Sequence, residues 1–344
     1  MKEQYLGLVD ILKLVFCIGI TLVHCCNYGA WQSGYGWYIL SFCVSTGVAY
    51  FFVASGYFLG KKLQENADRI WSIIKNYCIR LLWSLLFWDV INVIVEIINA
   101  MRNGISLSSK AKEIIMELLF HPGGAMWYIQ ALIVGVLMWG WFINHNRINL
   151  GMIVGVILYV TGSLANSSYY MVEGTSLEGV VNRYLSIFDT PRNGVFAGFM
   201  LAGLGIYIAY KKIEVNDDNR GKYIALLLVS FVILTGEIIV CNKLGSADNH
   251  SMFYSILVFV PVLFLLAASV KTGPGKIYTV ARKLSAGIYY SHVPMIVVAM
   301  AGYRIISMEV SYGLLLWITD VAMCIILCFA AMKVDKKYIN KVIF

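Results

Sequence analysis

Charge is the scarce commodity in this sequence. Only 13% of the 344 residues are Asp, Glu, Lys or Arg, about half the usual soluble share of ~25%. Hydrophobic residues make up 60% and the mean hydropathy is +0.74. So few polar side chains cannot cover the core of a water-soluble domain of this length, so a soluble globular fold is excluded. Cysteine is present, at positions 17, 25, 26, 43, 78, 241, 324 and 328, but no CxxC spacing occurs. That absence argues against a metal ribbon or a thioredoxin-like redox motif, and the thiols read as small apolar packing residues. No metal is expected. The chain also lacks a fixed-period repeat, a low-complexity tract and a polar linker, so one domain over residues 1–344 is the economical reading. Residues 1–10 carry no small-residue cleavage pattern and run straight into an apolar segment, so the first helix is expected to stay in place rather than be removed as a signal.

What the sequence does have is apolar blocks of about twenty residues, each long enough to cross a hydrocarbon layer. Ten are expected, at 8–27, 37–59, 77–99, 125–143, 150–166, 192–210, 223–241, 252–270, 284–302 and 311–332. The expected fold is therefore an all-α integral membrane bundle of about ten transmembrane helices. Positive charge tests this, because short Lys/Arg-rich loops stay in the cytoplasm. With the N-terminus inside, nineteen basic residues fall on inner segments and seven on outer ones, with Lys13 alone within a span; the acids split evenly. Both termini are then expected to be cytoplasmic. The net charge of +8 reads as topology and attraction to the lipid bilayer, with no nucleic-acid footprint. Of the two long outer loops, 100–124 and 167–191, the first has apolar residues at helical spacing over 108–120, which predicts a helix lying on the membrane surface.

Ionisable groups inside apolar spans are costly enough to mark function or pairing. Lys13 and His24 are eleven positions apart, which on a helix is three turns plus about 20°, so both project from one face some ~16 Å apart. Asp10 precedes Lys13 by three, the spacing at which helical side chains meet. For each of these two basic residues a plainer reading stands beside the functional one: Lys13 snorkelling to the inner headgroups, His24 as an interfacial residue at a helix end. On the third span Asp89, Asn92, Glu96 and Asn99 form one stripe, read either as the lining of an outward crevice or as a buried inter-helix network. Arg192 with Asn193, and Glu237, are acceptor-side candidates. His292, in a Ser-His-x-Pro context, is read as a further substrate-side candidate or as a core residue bonded to a carbonyl freed beside Pro294. Ser55, Gly56 and Tyr57 read as close helix packing.

Asp10-x-x-Lys13, ten residues, then His24 resembles the first-helix signature of the acyltransferase-3 family, whose usual form has Arg in place of Lys13. Tyr50-Phe-Phe-Val-Ala-Ser-Gly-Tyr-Phe-Leu59 resembles that family's second-helix motif, and Lys75 to Arg80 its basic entry to the third helix. Trp127-Tyr128, Arg192 to Gly198 and Ser285 to His292 resemble later landmarks in the same order. Within the family the pattern is similar to the membrane portions of vancomycin-resistance serine racemases and to stand-alone sugar O-acetyltransferases. Two departures stand out. Lys13 keeps the charge of the usual arginine but loses its planar fork. Ala125-Met126 stands where many members have a histidine, although His121 lies close by in sequence.

The resemblance implies a membrane O-acyltransferase that moves an acyl group, acetyl in the simplest case, from cytoplasmic acyl-CoA to a hydroxyl of a cell-surface glycan or small acceptor. It implies His24 as the base, directly or through an acyl-histidine, with Lys13 and Asp10 beside it. Lys13, Lys75, Arg80 and Arg282 are then the donor-side cations, and Trp127, Tyr128, Arg192, Asn193, Glu237, Asp89, Glu96 and His292 the acceptor side. The rival class is a carrier or binding module for a small amino acid such as serine. Against it stands the lack of paired, Gly/Pro-interrupted spans in two related halves. A scaffold without chemistry is a third class, in which Lys13 and His24 tolerate Ala.

Overall fold

A computed structural model describes residues 5–26, 34–102, 125–244 and 251–334, with positions 104–106, 108, 110, 111, 114 and 115 in between. Eleven α-helices account for almost all of it. They are α1 (Gly7–Cys26), α2 (Gly34–Glu65), α3 (Ile70–Arg102), α4 (Trp127–Asn144), α5 (Ile148–Ser163), α6 (Glu178–Phe188), α7 (Phe199–Tyr210), α8 (Arg220–Leu244), α9 (Ile256–Ser269), α10 (Lys276–Ile305) and α11 (Leu314–Lys333). Among the described residues there is no strand, only an isolated bridge between Tyr5 and Thr272. That bridge pins the start of α1, where Thr272 Oγ1 accepts from the Gly7 N–H at 2.9 Å and donates to the Tyr5 carbonyl at 2.8 Å.

Seven of these helical segments are long and apolar enough to cross a membrane, and three further apolar helices, 148–163, 194–210 and 256–269, are shorter. The ten expected spans all correspond to apolar helices. The lengths differ because α2 runs on to Glu65 and α3 begins at Ile70, which puts Lys61, Lys62 and Lys75 on helical extensions instead of in loops. In the other direction α9 has only 14 residues, about 21 Å of rise, short of a ~30 Å hydrocarbon layer.

Burial follows helical periodicity. In α3 the buried residues Ile74, Cys78, Leu81, Ser84, Leu85 and Trp88 form a stripe at spacings of three and four, and Ala100 is buried near the end of the helix. In α8 only Ser230, Leu234, Ile238 and Cys241 are buried, while Leu228, Val229, Val232 and Ile233 are exposed. Both helices thus present their remaining apolar faces outward, as lipid requires of peripheral spans. The core belongs to α2, which carries sixteen buried residues and packs along α7, α1 and α9. A Cβ on Gly56 would lie 2.0 Å from the Ala202 carbonyl oxygen of α7, and one on Gly205 2.0 Å from the Val53 oxygen. The two backbones touch. In lipid, where apolar side chains gain nothing from leaving the solvent, such small-residue contact is a main source of helix association, and this supports the packing reading of Gly56.

The 167–191 loop holds α6, an eleven-residue helix with no buried residue that was not expected from the sequence. Its apolar positions Val180, Val181, Tyr184, Leu185 and Phe188 follow helical spacing, and that pattern was the available signal. The surface helix expected at 108–120 lies largely outside the described residues.

Candidate active site

Two helices that pack on α1 determine the surroundings of its polar face: α2 and α10. The Lys13 ammonium sits 5.5 Å from the centroid of the Phe51 ring of α2. Asp10 and Arg282 both lie within electrostatic reach of it, although no direct ion pair joins Asp10 to Lys13 among the described residues. Snorkelling away from the bundle is therefore not what Lys13 does. Three turns further along, the His24 ring lies 4.9 Å, centroid to centroid, from that of His292 on α10, at an interplanar angle of 57°. Arg192 lies within electrostatic reach of His24. The side chains of Lys13 and His24 thus both turn into the bundle, one toward each end.

His292 is fully buried. Its Nδ1 lies 3.1 Å from the Ile288 carbonyl oxygen and 2.8 Å from that of Tyr289. These are not the oxygen that the missing N–H of Pro294 would leave unpaired, which belongs to Tyr290 four residues before it. The reading of His292 as a cap on that freed carbonyl is corrected accordingly. Its Nε2 is buried and has no hydrogen-bond partner among the described residues.

An aromatic and hydroxyl cluster fills the space between Lys13 and the helices opposite. Phe51 packs against Tyr128 at 6.1 Å and Tyr289 at 6.0 Å, and Phe52 against Tyr128 at 4.5 Å. Ser55 Oγ lies 3.0 Å from the Tyr128 hydroxyl, and the Tyr289 hydroxyl donates to the Ala125 carbonyl. Ser55 therefore does more than pack, a role its place one turn from Phe51 on α2 did not reveal. Trp127 stacks under the Arg192 guanidinium at 5.6 Å. Together with Ser45, Tyr159 and Ser251 these two line a cavity of about 20 Å³.

Three acceptor-side candidates turn out to be occupied in holding the fold. Asn193 Oδ1 accepts from the backbone N–H groups of Val195 and Phe196 at 3.0 and 3.2 Å, capping the π-turn Gly194–Gly198 that leads into α7. Its Nδ2 donates to the Tyr184 hydroxyl at 2.8 Å, which in turn donates to the Thr190 carbonyl at 3.2 Å. Burial holds that phenol at about 12, so it keeps the proton it donates. Glu237 accepts from the Tyr254 and Ser255 N–H groups at 2.7 and 2.9 Å and from the Ser255 hydroxyl, closing the N-terminus of α9 from α8. Glu96 pairs with Lys110 at 3.2 Å, toward the C-terminal end of α3. Asp89, further along the same stripe, lies within electrostatic reach of Tyr289.

The donor-side cations divide. Arg282 shares the Lys13 and Asp10 neighbourhood, and Arg80 lies 5.4 Å from the Tyr77 ring centroid. Lys75 is exposed near the start of α3. Lys61 instead lines a separate cavity of about 530 Å³ with Tyr57, Glu214, Arg220 and Lys271. A further buried acid lies on α11: Asp320, fully buried, accepts from the Cys25 and Cys324 thiols at 3.9 and 3.6 Å, partners that its lone place in an apolar run does not reveal. All eight cysteines are free and seven are buried. Among the described residues no group of three or more His, Cys, Asp or Glu could hold a metal ion. His121 lies outside the described residues.

The acyltransferase-3 family, described as an acyltransferase domain, matches residues 7–333. Among curated proteins the chain is similar to an amino-acid racemase of Enterococcus faecalis, 24% identical over 295 residues that cover 85% of this chain and 39% of that protein. It is also similar to a serine/alanine racemase of Enterococcus gallinarum, 21% identical over 324 residues that cover 88% of this chain and 42% of that protein. The chain thus spans about two fifths of the length of these relatives. No solved structure matches it significantly. With a family match running from the first residue of α1 to the last residue of α11, and with apolar helices throughout, this multi-pass membrane chain belongs to the acyltransferase-3 family.

Proposed function

We propose that the protein transfers an acyl group, acetyl in the simplest case, from acyl-CoA on the cytoplasmic side to a hydroxyl of a cell-surface glycan or small acceptor on the other. The observation that carries this is the placement of α1: Lys13 over Phe51 toward one end and His24 against His292 toward the other, both turned inward. In this reading all ten apolar helices span, the three short ones within the thickness the bundle itself sets, and both termini are cytoplasmic. The nineteen-to-seven bias of positive charge supports that orientation. No metal is assigned to the reaction.

The chemistry follows from the neighbours. The acceptor O–H gives its proton to His24 as the oxygen attacks the thioester carbonyl. The C–S bond then breaks, and the proton on His24 goes to the departing thiolate. Lys13 and Arg282 attract the donor's phosphates, Asp10 keeps the Lys13 charge in place, and Arg192 with Trp127 meets the acceptor. The test is acyl-CoA binding and acyl transfer by the purified protein in detergent or nanodiscs. Binding with slow hydrolysis, lost in His24→Ala, is the expected result.

The names of the two relatives favour a second reading, in which the bundle binds or carries a small amino acid such as serine. Proteoliposomes that take up labelled serine while the protein binds no acyl-CoA would establish that reading and remove the first.

A further inference from the structure

His292 makes two contacts with its own helix, and their chemistry fixes its protonation. Backbone carbonyls only accept, so the ring nitrogen directed at the Ile288 and Tyr289 oxygens, Nδ1, must carry the proton. In the neutral ring Nε2 is then a bare lone pair. It is buried, and among the described residues no hydrogen-bond donor reaches it, a state that costs free energy unless something supplies a proton to it. The adjacent ring is His24. His24 itself makes no hydrogen bond among the described residues, and Arg192, a cation within electrostatic reach of it, has no acceptor atom to offer it. Within this neighbourhood the lone pair on His292 and an N–H on His24 are each other's available match, with the two ring centroids 4.9 Å apart.

We propose that His292 is the positioning residue of His24: its Nε2 accepts a hydrogen bond from one ring nitrogen of His24 and so holds the other nitrogen unprotonated toward the substrate. The proposal rests on the reading of His24 as the base. It assigns His292 the place that a carboxylate takes beside a histidine base elsewhere, with two differences. The partner is neutral, so no buried negative charge has to be accommodated in a lipid-embedded site. Its far nitrogen is anchored to two carbonyl oxygens of α10, so the orientation is set by helix backbone. When His24 takes the acceptor proton, the positive charge is shared across the hydrogen bond to Nε2, and the two carbonyls on Nδ1 face the positive side of that pair.

Two substitutions in the full-length protein separate this from mere packing. In His292→Gln the side-chain oxygen reaches the position of Nε2 and can still accept from His24. In His292→Asn the amide nitrogen reaches the position of Nδ1 and keeps the carbonyl bonds, but nothing accepts from His24. The Asn variant is expected to lose about 100-fold in kcat at little change in KM for acyl-CoA, with the Gln variant within about tenfold of the parent. Equal losses in the two, or an Asn variant as active as the parent, overturn the proposal. A second readout does not depend on turnover: carbethoxylation of His24 by diethyl pyrocarbonate, followed by peptide mass spectrometry, requires a bare ring nitrogen. It should slow at least twofold in the Asn variant alone, and an unchanged rate counts against the hydrogen bond. If the parent transfers no acyl group from any donor yet carbethoxylation follows His292 in this way, the enzymatic reading fails and the positioning stands. Should the Asn variant not fold, ring-nitrogen NMR of the parent decides, since a His292 proton found on Nε2 removes the proposal.

Discussion

Removing the Glu237 carboxylate tests whether this residue recognises an acceptor or builds the fold. It sits on α8 and reaches the first residues of α9, where its two oxygens collect the N–H groups of Tyr254 and Ser255 and the Ser255 hydroxyl. Helix N-termini leave their first N–H groups without intrahelical partners, and here a side chain from a neighbouring helix supplies the acceptors. A hydrogen bond to a charged group contributes roughly 1.5–3 kcal/mol, and a lost N-cap costs ~1–2 kcal/mol. Glu237 is half-buried, so water recovers part of the loss, and Glu237→Ala should cost about 2–3 kcal/mol in all. Glu237→Gln keeps one carbonyl oxygen for one N–H but points an amide donor at the other, and should cost about half as much. Reversible SDS unfolding in mixed micelles, ordered parent, Gln, Ala, is the measurement. An Ala variant that unfolds with the parent yet has lost acceptor binding would refute the capping argument and restore Glu237 to the substrate side.

Four further outcomes are expected. His24→Ala abolishes acyl transfer and leaves size-exclusion behaviour unchanged; turnover retained within tenfold removes His24 as base. Lys13→Gln raises KM for acyl-CoA at least tenfold with a smaller effect on kcat, while Lys13→Arg, which keeps the charge over Phe51, stays near the parent; identical kinetics for Gln and parent would show that the lysine reads no donor charge. Gly56→Val drives a side chain into the Ala202 carbonyl of α7 and should cost more than ~3 kcal/mol, seen as lost monodisperse protein, whereas Gly236→Ala, with open space around its Cβ position, should be neutral or slightly stabilising. Asn193→Ala removes the cap on the π-turn before α7 and should cost about 1 kcal/mol; loss of acyl transfer without any loss of stability would point instead to an acceptor contact.

The contrast between Lys13 and Glu237 shows what kind of information sequence carries. Apolar runs specify helices directly, because in lipid every backbone polar group must be satisfied within the segment, and so each expected span finds its helix. Lys13 and His24 were legible for the same reason: both lie on one helix, where eleven residues of separation fix their relative direction regardless of the rest of the fold. Glu237 and Asn193 were not, because their partners are decided by which helix end comes to rest beside them. A half-buried carboxylate that caps the next helix and one that meets a sugar look alike until the chain is folded. The two-residue difference between His292 and Pro294 failed in another way, since the proline suggested the wrong carbonyl.

The same distinction explains why α10 is the helix to watch. Its sequence offers a histidine two residues before a proline, readable as a substrate-side residue or as a core residue bonded to a freed carbonyl, with nothing to name its partner. Only its packing against α1 places His292 beside His24, and only the two carbonyls of its own preceding turn assign the proton that leaves Nε2 bare. The catalytic proposal thus draws its base from a pattern within one helix and its geometry from a contact between two. A mutation that shifts α10 along α1 by a single residue, about 1.5 Å, should cost acyl transfer even with both histidines intact, because the orientation of His24 would then have lost its reference. Ser285 gives access to that register, since the Cys17 thiol donates to its carbonyl at 3.2 Å across the same interface. A bulky Cys17→Leu, fully buried in the parent, is expected to lower kcat further than a Cys17→Ser change that keeps a donor there. If the two behave alike, the register of α10 against α1 is not what sets the rate.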